Sequence, residues 1–215
     1  MLDALCHLHR SPLWDQRERA LAEGRRHGVR RVLVAATDRA SWSRVLQCRD
    51  AGPVALGVHP WWQDDPAELE AVARSEGVEY IGEIGLDGLR RDEQQLPRFR
   101  AQLEVAARLE LPVVLHCVRA WHELLPEVRR FGVRGHVHGF RGGPELARQI
   151  LAEGLDISVG RAVLKPSRKL VEALKVIPPE RLRFESDAPD QFATPAGAAV
   201  VRDEVARLLG QSRQS

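Results

Sequence analysis

The sequence predicts a single-domain (β/α)8 barrel, compact and with a shortened loop region near its C-terminus. Short apolar segments that suit buried strands alternate with segments that suit helices, and eight such units follow one another along the 215 residues. This alternation is typical of a parallel sheet, and eight units favour its closure into a barrel. A doubly wound open sheet is the alternative. No glycine-rich phosphate loop follows the first strand, which argues against it.

Each predicted strand is a short run of mainly apolar and often β-branched residues, as expected for a strand buried on both faces. Turn-forming residues bound these runs: Ser11 and Pro12 follow the first strand, and Pro60 follows the third. In chain order the strands are expected over residues 2–8, 29–36, 53–58, 78–83, 112–115, 133–137, 155–158 and 181–184.

The intervening segments carry apolar residues three or four positions apart, which predicts helices. These are expected over residues 14–27, from 37 or 38 to about 50, and over 66–76, 94–109, 120–131, 144–153, 166–176 and 195–209. The clearest apolar stripe belongs to the helix over 94–109, at Leu96, Phe99, Leu103, Ala106 and Ala107.

Several residues mark the ends of these helices. Gly28 is placed to end the first helix, Thr37 or Asp38 to cap the second, and Pro144 to occupy the first turn of the sixth. No linker or change in composition separates the units. Residues 1–210 are therefore expected to form one domain, with 211–215 as a disordered tail.

The composition excludes several classes of protein. Hydrophobic residues make up 44% and charged residues 29%, which is ordinary for a soluble globular domain, and no apolar run approaches the roughly 20 residues of a membrane span. No signal peptide is recognised. Three cysteines without a CxxC pair argue against a disulfide framework and favour a reduced, cytoplasmic protein. A net charge of +2 excludes a polycation that coats nucleic acid nonspecifically.

Polar residues recur where the predicted strands end. The stretch from Tyr80 to Asp87 is organised around Glu83, a carboxylate at the end of an apolar run, which is costly to bury unless it is paired or binds a metal. Five further side chains hold equivalent positions at or just past other strands: His7, His59, His116, His138 and Asp187. Barrel enzymes place their sites at this face. Imidazole and carboxylate together suit Zn, Mn or Fe, and the pattern favours a metal site over structural histidines.

An ordered set of motifs carries a family resemblance. The motifs are Asp3, residues 6–8 (CHL), 57–60 (GVHP), 82–87 (GEIGLD), 95–103, 111–117 (LPVVLHC), 138–140 (HGF) and 185–189 (ESDAP). Together they resemble the TatD-type metal-dependent deoxyribonucleases, which are (β/α)8 barrels related to the amidohydrolases. The likeness runs in order from Asp3 to Pro189.

The resemblance implies two divalent metal ions, with Mg or Mn expected in function and Zn as another ion that can be bound. Glu83 would bridge both ions, and His7 and Asp187 would complete one site. His116 and His138 would complete the other, and His59 would lie near the substrate phosphate. Two nearby cations can contact both the attacking and the leaving oxygen of a phosphodiester and can lower the pKa of a water. Asp187 would then accept the proton of that water.

The first departure from the family pattern concerns Leu5. The family's first motif reads Asp-x-His-x-His, and here the first histidine is replaced by Leu5, which cannot bind a metal. One metal site is therefore expected to be weakened. His9 would share a strand face with His7 but lies four residues beyond Leu5, roughly 13 Å along an extended strand. It can replace the missing ligand only if the strand end curls or the register shifts.

Two further departures affect the expected substrate contacts. The family usually has arginine two residues after His116; here Val118 takes that place and Arg119 follows, either near a phosphate or at a solvent-facing helix start. The loop over residues 190–195 is short and lacks the family's basic residues and asparagine. The cleft is therefore expected to be more open, or completed by a partner subunit.

The remaining candidates for substrate contact are aromatic and basic. Trp61 and Trp62 follow His59, where an exposed ring can stack on a base or pack as a hydrophobic lid. Arg141, Arg161 and Lys165 follow the sixth and seventh strands, where phosphate sites of barrels often form.

The combined prediction is a divalent-metal-dependent phosphodiester hydrolase. Its expected substrate is DNA, single-stranded or at ends, and the resemblance implies trimming from the 3′ end. Two alternatives remain: hydrolysis of a small phosphoester or amide, and a degenerate, non-catalytic barrel that acts as a binding subunit.

Overall fold

The computed structural model describes residues 1–210, in which eight strands alternate with helices. The strands are β1 (Leu2–Cys6), β2 (Arg31–Ala35), β3 (Val54–Leu56), β4 (Tyr80–Asp87), β5 (Val113–Val118), β6 (Gly135–Val137), β7 (Leu155–Val159) and β8 (Leu182–Phe184). They follow one another in the sheet in chain order, and β2 to β6, like β7 and β8, pair in parallel. This is the strand order of a (β/α)8 barrel, so the predicted fold class is confirmed.

Eight α-helices occur in the same residues. They are α1 (Arg17–Arg26), α2 (Trp42–Leu46), α3 (Leu69–Glu76), α4 (Gln95–Leu109), α5 (Trp121–Phe131), α6 (Pro144–Ala152), α7 (Arg168–Val176) and α8 (Gly197–Leu208). None of the helices in residues 1–210 combines the length and the apolar character that crossing a bilayer requires.

The chain divides into two compact units. The central unit is Val34–Val137, and the terminal unit is Met1–Leu33 together with the chain from His138 on. The central unit contains β3 to β6, and the terminal unit contains β1, β7 and β8. The expectation of one domain over residues 1–210 stays a prediction, and the expected tail over 211–215 lies outside the described residues.

Two strands extend at least three residues beyond their predicted ends. β4 continues past Glu83 to Asp87, and β5 includes His116, so the prediction that these two side chains lie at or past strand ends is wrong. Glu83 interrupts the apolar run, but Ile84 and Leu86 continue it, and β4 remains paired with β5 as far as Asp87 opposite Val118. The other four positions lie beyond β1, β3, β6 and β8, as predicted.

Most helices match the prediction, with α2 as the main exception. It ends at Leu46 rather than near residue 50, because the following residues form turns, with Cys48 N–H donating to Val45 O (2.9 Å). Asp38 is the cap of this region: its Oδ1 accepts a bond from Ser41 N–H (2.7 Å) at the start of a 3-10 turn. Gly28 follows the end of α1 with φ +83°, a conformation that favours glycine.

The buried face of α4 differs from the predicted apolar stripe. Phe99, Leu103 and Ala106 are buried as expected, whereas Leu96 and Ala107 are only half-buried. Two glutamines, Gln95 and Gln102, are also buried on this helix. Their amides bond loops that follow β3 and β4, so part of this helix face positions loops instead of filling the core.

Candidate metal centre

A bulge in β4 places Glu83. Between the pairs Ile81–Val113 and Ile84–Leu115, β4 contains one more residue than β5, and such an extra residue redirects the side chains beside it. Glu83 N–H leaves the β5 ladder and donates to Ala36 O at the end of β2 (3.1 Å). The sequence signal for this bulge is the pair of glycines on either side of Glu83.

Gly85 permits the close approach of β4 to His116. Its φ is +152°, and a Cβ built at this position would lie 1.9 Å from the backbone oxygen of His116. Gly82 is similarly confined, since a Cβ there would lie 2.7 Å from Cβ of Val114. Glycine is therefore required at position 85 by both its conformation and its contacts.

The central unit contains a compact group of three metal-binding side chains, which we call the central group: His59, Glu83 and His116. His59 Nε2 lies 3.2 Å and His116 Nδ1 lies 3.0 Å from the same carboxylate oxygen, Glu83 Oε1. All three residues are at least nine-tenths buried, and one ligand atom from each lies within 4.8 Å of the others. Two imidazoles and a carboxylate fit Zn, Mn or Fe, and the burial explains why the carboxylate needs such partners.

Asp87 supports this group from the other side of His116. Its Oδ2 lies 3.6 Å from His116 Nε2 and accepts a hydrogen bond from Trp61 Nε1 (2.6 Å), while Oδ1 accepts one from Leu89 N–H (2.8 Å). Interaction with His116, and then with Trp61, holds the pKa of the Asp87 carboxyl below its usual range. A carboxylate behind a ligating histidine fixes which ring nitrogen faces the metal. Asp87 is thus suited to keep Nδ1 of His116 directed at Glu83.

Two glutamines of α4 hold the surrounding loops. Gln102 bonds both backbone groups of Val58, accepting from N–H (2.7 Å) and donating to O (3.1 Å). Gln95 accepts from Asp87 N–H (2.8 Å) and donates to Pro60 O (3.3 Å) and Arg90 O (3.0 Å). The loops after β3 and β4, which carry the side chains beside the central group, are therefore linked by one buried amide.

The terminal unit contains a second group, the terminal group: His7, Asp187 and Asp190. His7 Nε2 lies 3.5 Å from Asp187 Oδ1. Backbone bonds from Asp187 N–H to Leu5 O (2.9 Å) and from His7 N–H to Ala188 O (2.7 Å) join the two segments. Asp187 has φ +46°, and its Oδ2 accepts a bond from Gln191 Nε2 (2.7 Å). Asp190 is half exposed and paired with Arg10.

The path of the chain after β1 bears on whether His9 can replace the metal ligand that is missing at Leu5. β1 ends at Cys6, and Arg10 N–H bonds back to His7 O (2.9 Å), so His7 and His9 lie in a turn and the expectation of a shared strand face is wrong. The His9 ring nevertheless meets the His7 ring edge-on, with centroids 5.7 Å apart. In the described residues, Asp190 and not His9 provides the third ligand atom near His7 and Asp187.

His138 belongs to a separate pair within the terminal unit. Its Nδ1 lies 3.6 Å from Oε1 of Glu185, which is fully buried and also accepts a bond from Gly139 N–H (2.7 Å). The other oxygen of Glu185, Oε2, is buried and has no hydrogen-bond partner in residues 1–210. A buried carboxylate with a vacant oxygen beside an imidazole is again the chemistry of a metal-binding position.

Asp3 secures the segment that carries Asp187. Its carboxylate is fully buried and accepts bonds from Ser186 N–H (2.8 Å) and Ser186 Oγ (2.5 Å). Burial raises the pKa of Asp3 well above its usual value, although the bonds from Ser186 act in the opposite direction. This network ties β1 to the residues after β8.

Asp3→Ala is expected to lower the free energy of unfolding by about 2–4 kcal/mol, because it removes the acceptor of the buried N–H groups of Ser186 and Leu5 and of the short bond from Ser186 Oγ. Urea denaturation followed by circular dichroism would measure the loss. The exposed Asp15→Ala is the control and should change stability by less than about 0.5 kcal/mol. Equal stabilities for the two variants would show that the network contributes nothing.

The predicted site residues separate into those with partners at these groups and those without. Glu83 and His116 lie together, and so do His7 and Asp187. His59, predicted only as a phosphate contact, is part of the central group. Pairings that join the two units stay predictions.

Three of the basic residues predicted to contact substrate lie on loops, whereas Arg161 begins a 3-10 helix and donates to Gln191 O (3.0 Å). Arg119, Arg141 and Lys165 are exposed, and none has an ion pair or a side-chain hydrogen bond in the described residues. Arg119 adopts φ +51° in the turn between β5 and α5, so it does not start the helix. Their roles stay predictions.

Four functional candidates were missed by the sequence reasoning: Asp87, Glu185, Asp190 and Gln191. For Asp87 a signal exists, since it lies four residues after Glu83 on the same strand and therefore on the same face. Asp190 and Gln191 lie in a loop, so the alternation of side chains along a strand does not predict where they point. The path of that loop is set by packing.

Comparisons with known proteins agree with this chemistry. A family model described as TatD related DNase matches residues 2–209. An uncharacterized metal-dependent hydrolase of Escherichia coli K12, YjjV, is 31% identical over 206 residues, covering 88% of this chain and 79% of that protein. A protein of Pantoea sp. At-9b named 3′-5′ ssDNA/RNA exonuclease TatD is 34% identical over 207 residues, with the same coverage of each.

Solved structures show the same fold. The crystal structure of E. coli YjjV superposes with a TM-score of 0.87 at 29% identity, covering 97% of this chain and 90% of that one. A TatD-family hydrolase from Entamoeba histolytica gives a TM-score of 0.84 at 20% identity, covering 99% and 92%. Metal-ligand chemistry, family and fold therefore agree.

Proposed function

The chain belongs to the TatD-related DNase family and is a metal-dependent hydrolase, and we propose that it hydrolyses phosphodiester bonds in DNA, in single strands or at ends. Relatives named as single-strand exonucleases support this substrate, and cleavage from the 3′ end is part of the proposal for the same reason. The observation that carries the proposal is the central group, in which a buried carboxylate oxygen faces two imidazole nitrogens at 3.0 and 3.2 Å.

The residues present fit divalent ions. Glu83, His59 and His116 would hold an ion in the central unit, and His7, Asp187 and Asp190 would hold one in the terminal unit. When bound, such ions supply Lewis-acid chemistry to a phosphodiester and a water. We propose that two ions bind, Mg or Mn in function with Zn as an alternative. The proposal also includes a bridging role for Glu83 and a place for His138 among the ligands.

The protein's own groups perform the remaining tasks. Asp87 orients His116, and Gln191 orients Asp187 through the bond to its Oδ2. Asp187, whose Oδ1 lies 3.5 Å from His7 Nε2, would accept a proton during hydrolysis. Arg119, Arg141 and Lys165, being exposed and without ion pairs in the described chain, remain candidates for phosphate contact.

The first experiment measures metal content and nuclease activity together. We expect the purified protein to contain one or two divalent ions by elemental analysis and to degrade a single-stranded DNA oligonucleotide in their presence. Removal of the ions with chelator should abolish cleavage, and Mg or Mn should restore it. Full activity in chelator would contradict the proposal.

A substrate panel separates the alternatives. Chromogenic phosphodiesters and amides, set against oligonucleotides, would identify a hydrolase of small phosphoesters or amides by a higher kcat/KM on those compounds. A non-catalytic binding subunit is opposed by the retention of buried polar side chains such as Glu83 and Glu185, which are costly without a ligand. Absence of metal from both groups would favour that subunit role. A partner subunit that completes the cleft and a cytoplasmic location stay predictions.

A further inference from the structure

An exposed arginine, Arg90, is held against an exposed tryptophan, Trp61, beside the central group. We propose that Arg90 binds a backbone phosphate of a single-stranded nucleic acid next to the bond being cleaved. Trp61 and Asp87 are the positioning residues for this contact. The inference rests on the proposed nuclease function and adds to it a specific phosphate subsite.

Asp87 fixes the orientation of Trp61. The indole is 44% exposed, yet its Nε1 donates to Asp87 Oδ2 (2.6 Å), and its backbone N–H donates to His59 Nδ1 (3.2 Å). The edge of the ring also contacts the His59 ring, with centroids 4.8 Å apart. A large exposed aromatic side chain is therefore locked in place by two residues at the central group.

Trp61 in turn holds Arg90. The guanidinium carbon lies 3.9 Å from the centroid of the indole ring, within the range of a cation–π contact. A guanidinium that stacks on an aromatic ring does so with its flat face. Its N–H donors point outward in the plane and stay available to a phosphate.

The charge of Arg90 has no carboxylate partner in residues 1–210, unlike that of Arg91 and Arg98 in the same stretch of sequence. Arg91 pairs with Glu123 (2.6 Å) and Arg98 with Asp92 (2.9 Å). The side chain of Arg90 has neither an ion pair nor a hydrogen bond within residues 1–210. An oriented cation without a carboxylate partner is suited to bind an anion brought by the substrate.

The position of this pair identifies the anion as a neighbouring phosphate. Asp87 Oδ2, which fixes Trp61, lies 3.6 Å from His116 Nε2, so the subsite is one side chain away from the central group. Gln95 links the two loops by donating to Pro60 O and Arg90 O. Leu89, 63% exposed beside Arg90, and the exposed part of Trp61 offer apolar surface to an unstacked base.

The test compares Arg90→Ala with Arg91→Ala as the matched control. On a single-stranded oligonucleotide, Arg90→Ala should raise KM about tenfold with a much smaller change in kcat, as expected for loss of one charge-assisted contact. The slope of log KM against log salt concentration should fall by about 0.7 for one lost phosphate contact. Selectivity for the oligonucleotide over bis(p-nitrophenyl) phosphate, which has no neighbouring phosphate, should fall about tenfold as well. Arg90→Lys should be intermediate, since it keeps the charge and loses the planar donors.

Trp61→Phe tests the positioning role. It keeps an aromatic ring but removes the bond to Asp87. The slope of log KM against log salt concentration should therefore fall by part of the amount expected for Arg90→Ala. Combined with Arg90→Ala it should add little, because both act on one contact. An Arg90→Ala variant with the KM and salt slope of the wild-type enzyme would overturn the subsite alone. A wild-type enzyme that cleaves the chromogenic diester but no oligonucleotide would overturn the nuclease function and the subsite together.

Discussion

Glu83→Gln is expected to reduce hydrolysis to background, by at least about a thousandfold, while the protein stays folded. Glutamine has nearly the same shape, so the packing of β4 is preserved, but it removes the negative charge at the oxygen that faces His59 and His116. A neutral amide is a poor ligand for a divalent cation. Metal content and oligonucleotide cleavage, measured on the same preparation, should therefore fall together.

The control for this variant is Glu93→Gln, at an exposed position that is not part of the central group. It should retain both metal and activity. Circular dichroism and a melting curve would show that Glu83→Gln has kept its fold. Full activity in a folded Glu83→Gln protein would remove the central group from the mechanism.

Gly85→Ala is expected to be the most destabilising single methyl addition near the site, at about 4 kcal/mol or more. A Cβ at this position would lie 1.9 Å from the backbone oxygen of His116, and φ +152° is strained for any other L-residue. Relief requires β4 and β5 to separate where they carry Glu83 and His116. Soluble yield and urea denaturation would measure the effect, and any folded fraction should also have lost metal.

Gly77→Ala is the matched control for conformation alone. Gly77 ends α3 with φ +61°, and a Cβ there would meet nothing within 4 Å. Its cost should therefore be about 1 kcal/mol, the penalty for a left-handed conformation. If both variants lose similar stability, the close approach of β4 and β5 is not the cause.

The alternation of strands and helices was predictable because it depends on local patterns. Apolar runs and helical spacing are written in neighbouring residues, and eight repeats of them leave few arrangements other than a barrel. The ends were less predictable. Glu83 and His116 resemble strand termini by composition, but continued pairing with a neighbouring strand keeps them inside β4 and β5.

In the candidate site, too, some residues were predictable from the sequence and others were not. Glu83, His116, His7 and Asp187 were identifiable because costly polar groups recur beside apolar strands. The role of Gln95 was not visible, since it resembles an ordinary polar residue of a surface helix. Only its contacts with Pro60 O and Arg90 O show that it holds two loops together.

The sequence by itself determined the fold class and predicted a set of metal-binding side chains beside the apolar strands, because both depend on residue type and local spacing. The missing ligand at Leu5 is a prediction that follows from the family resemblance. The tertiary structure decided the partners. It placed His59 with Glu83, Asp190 with His7 and Asp187, and Arg90 over Trp61. The physical reason is that these side chains come from segments far apart in the chain. Their distances follow from the packing of strands, bulges and loops, which no local pattern encodes.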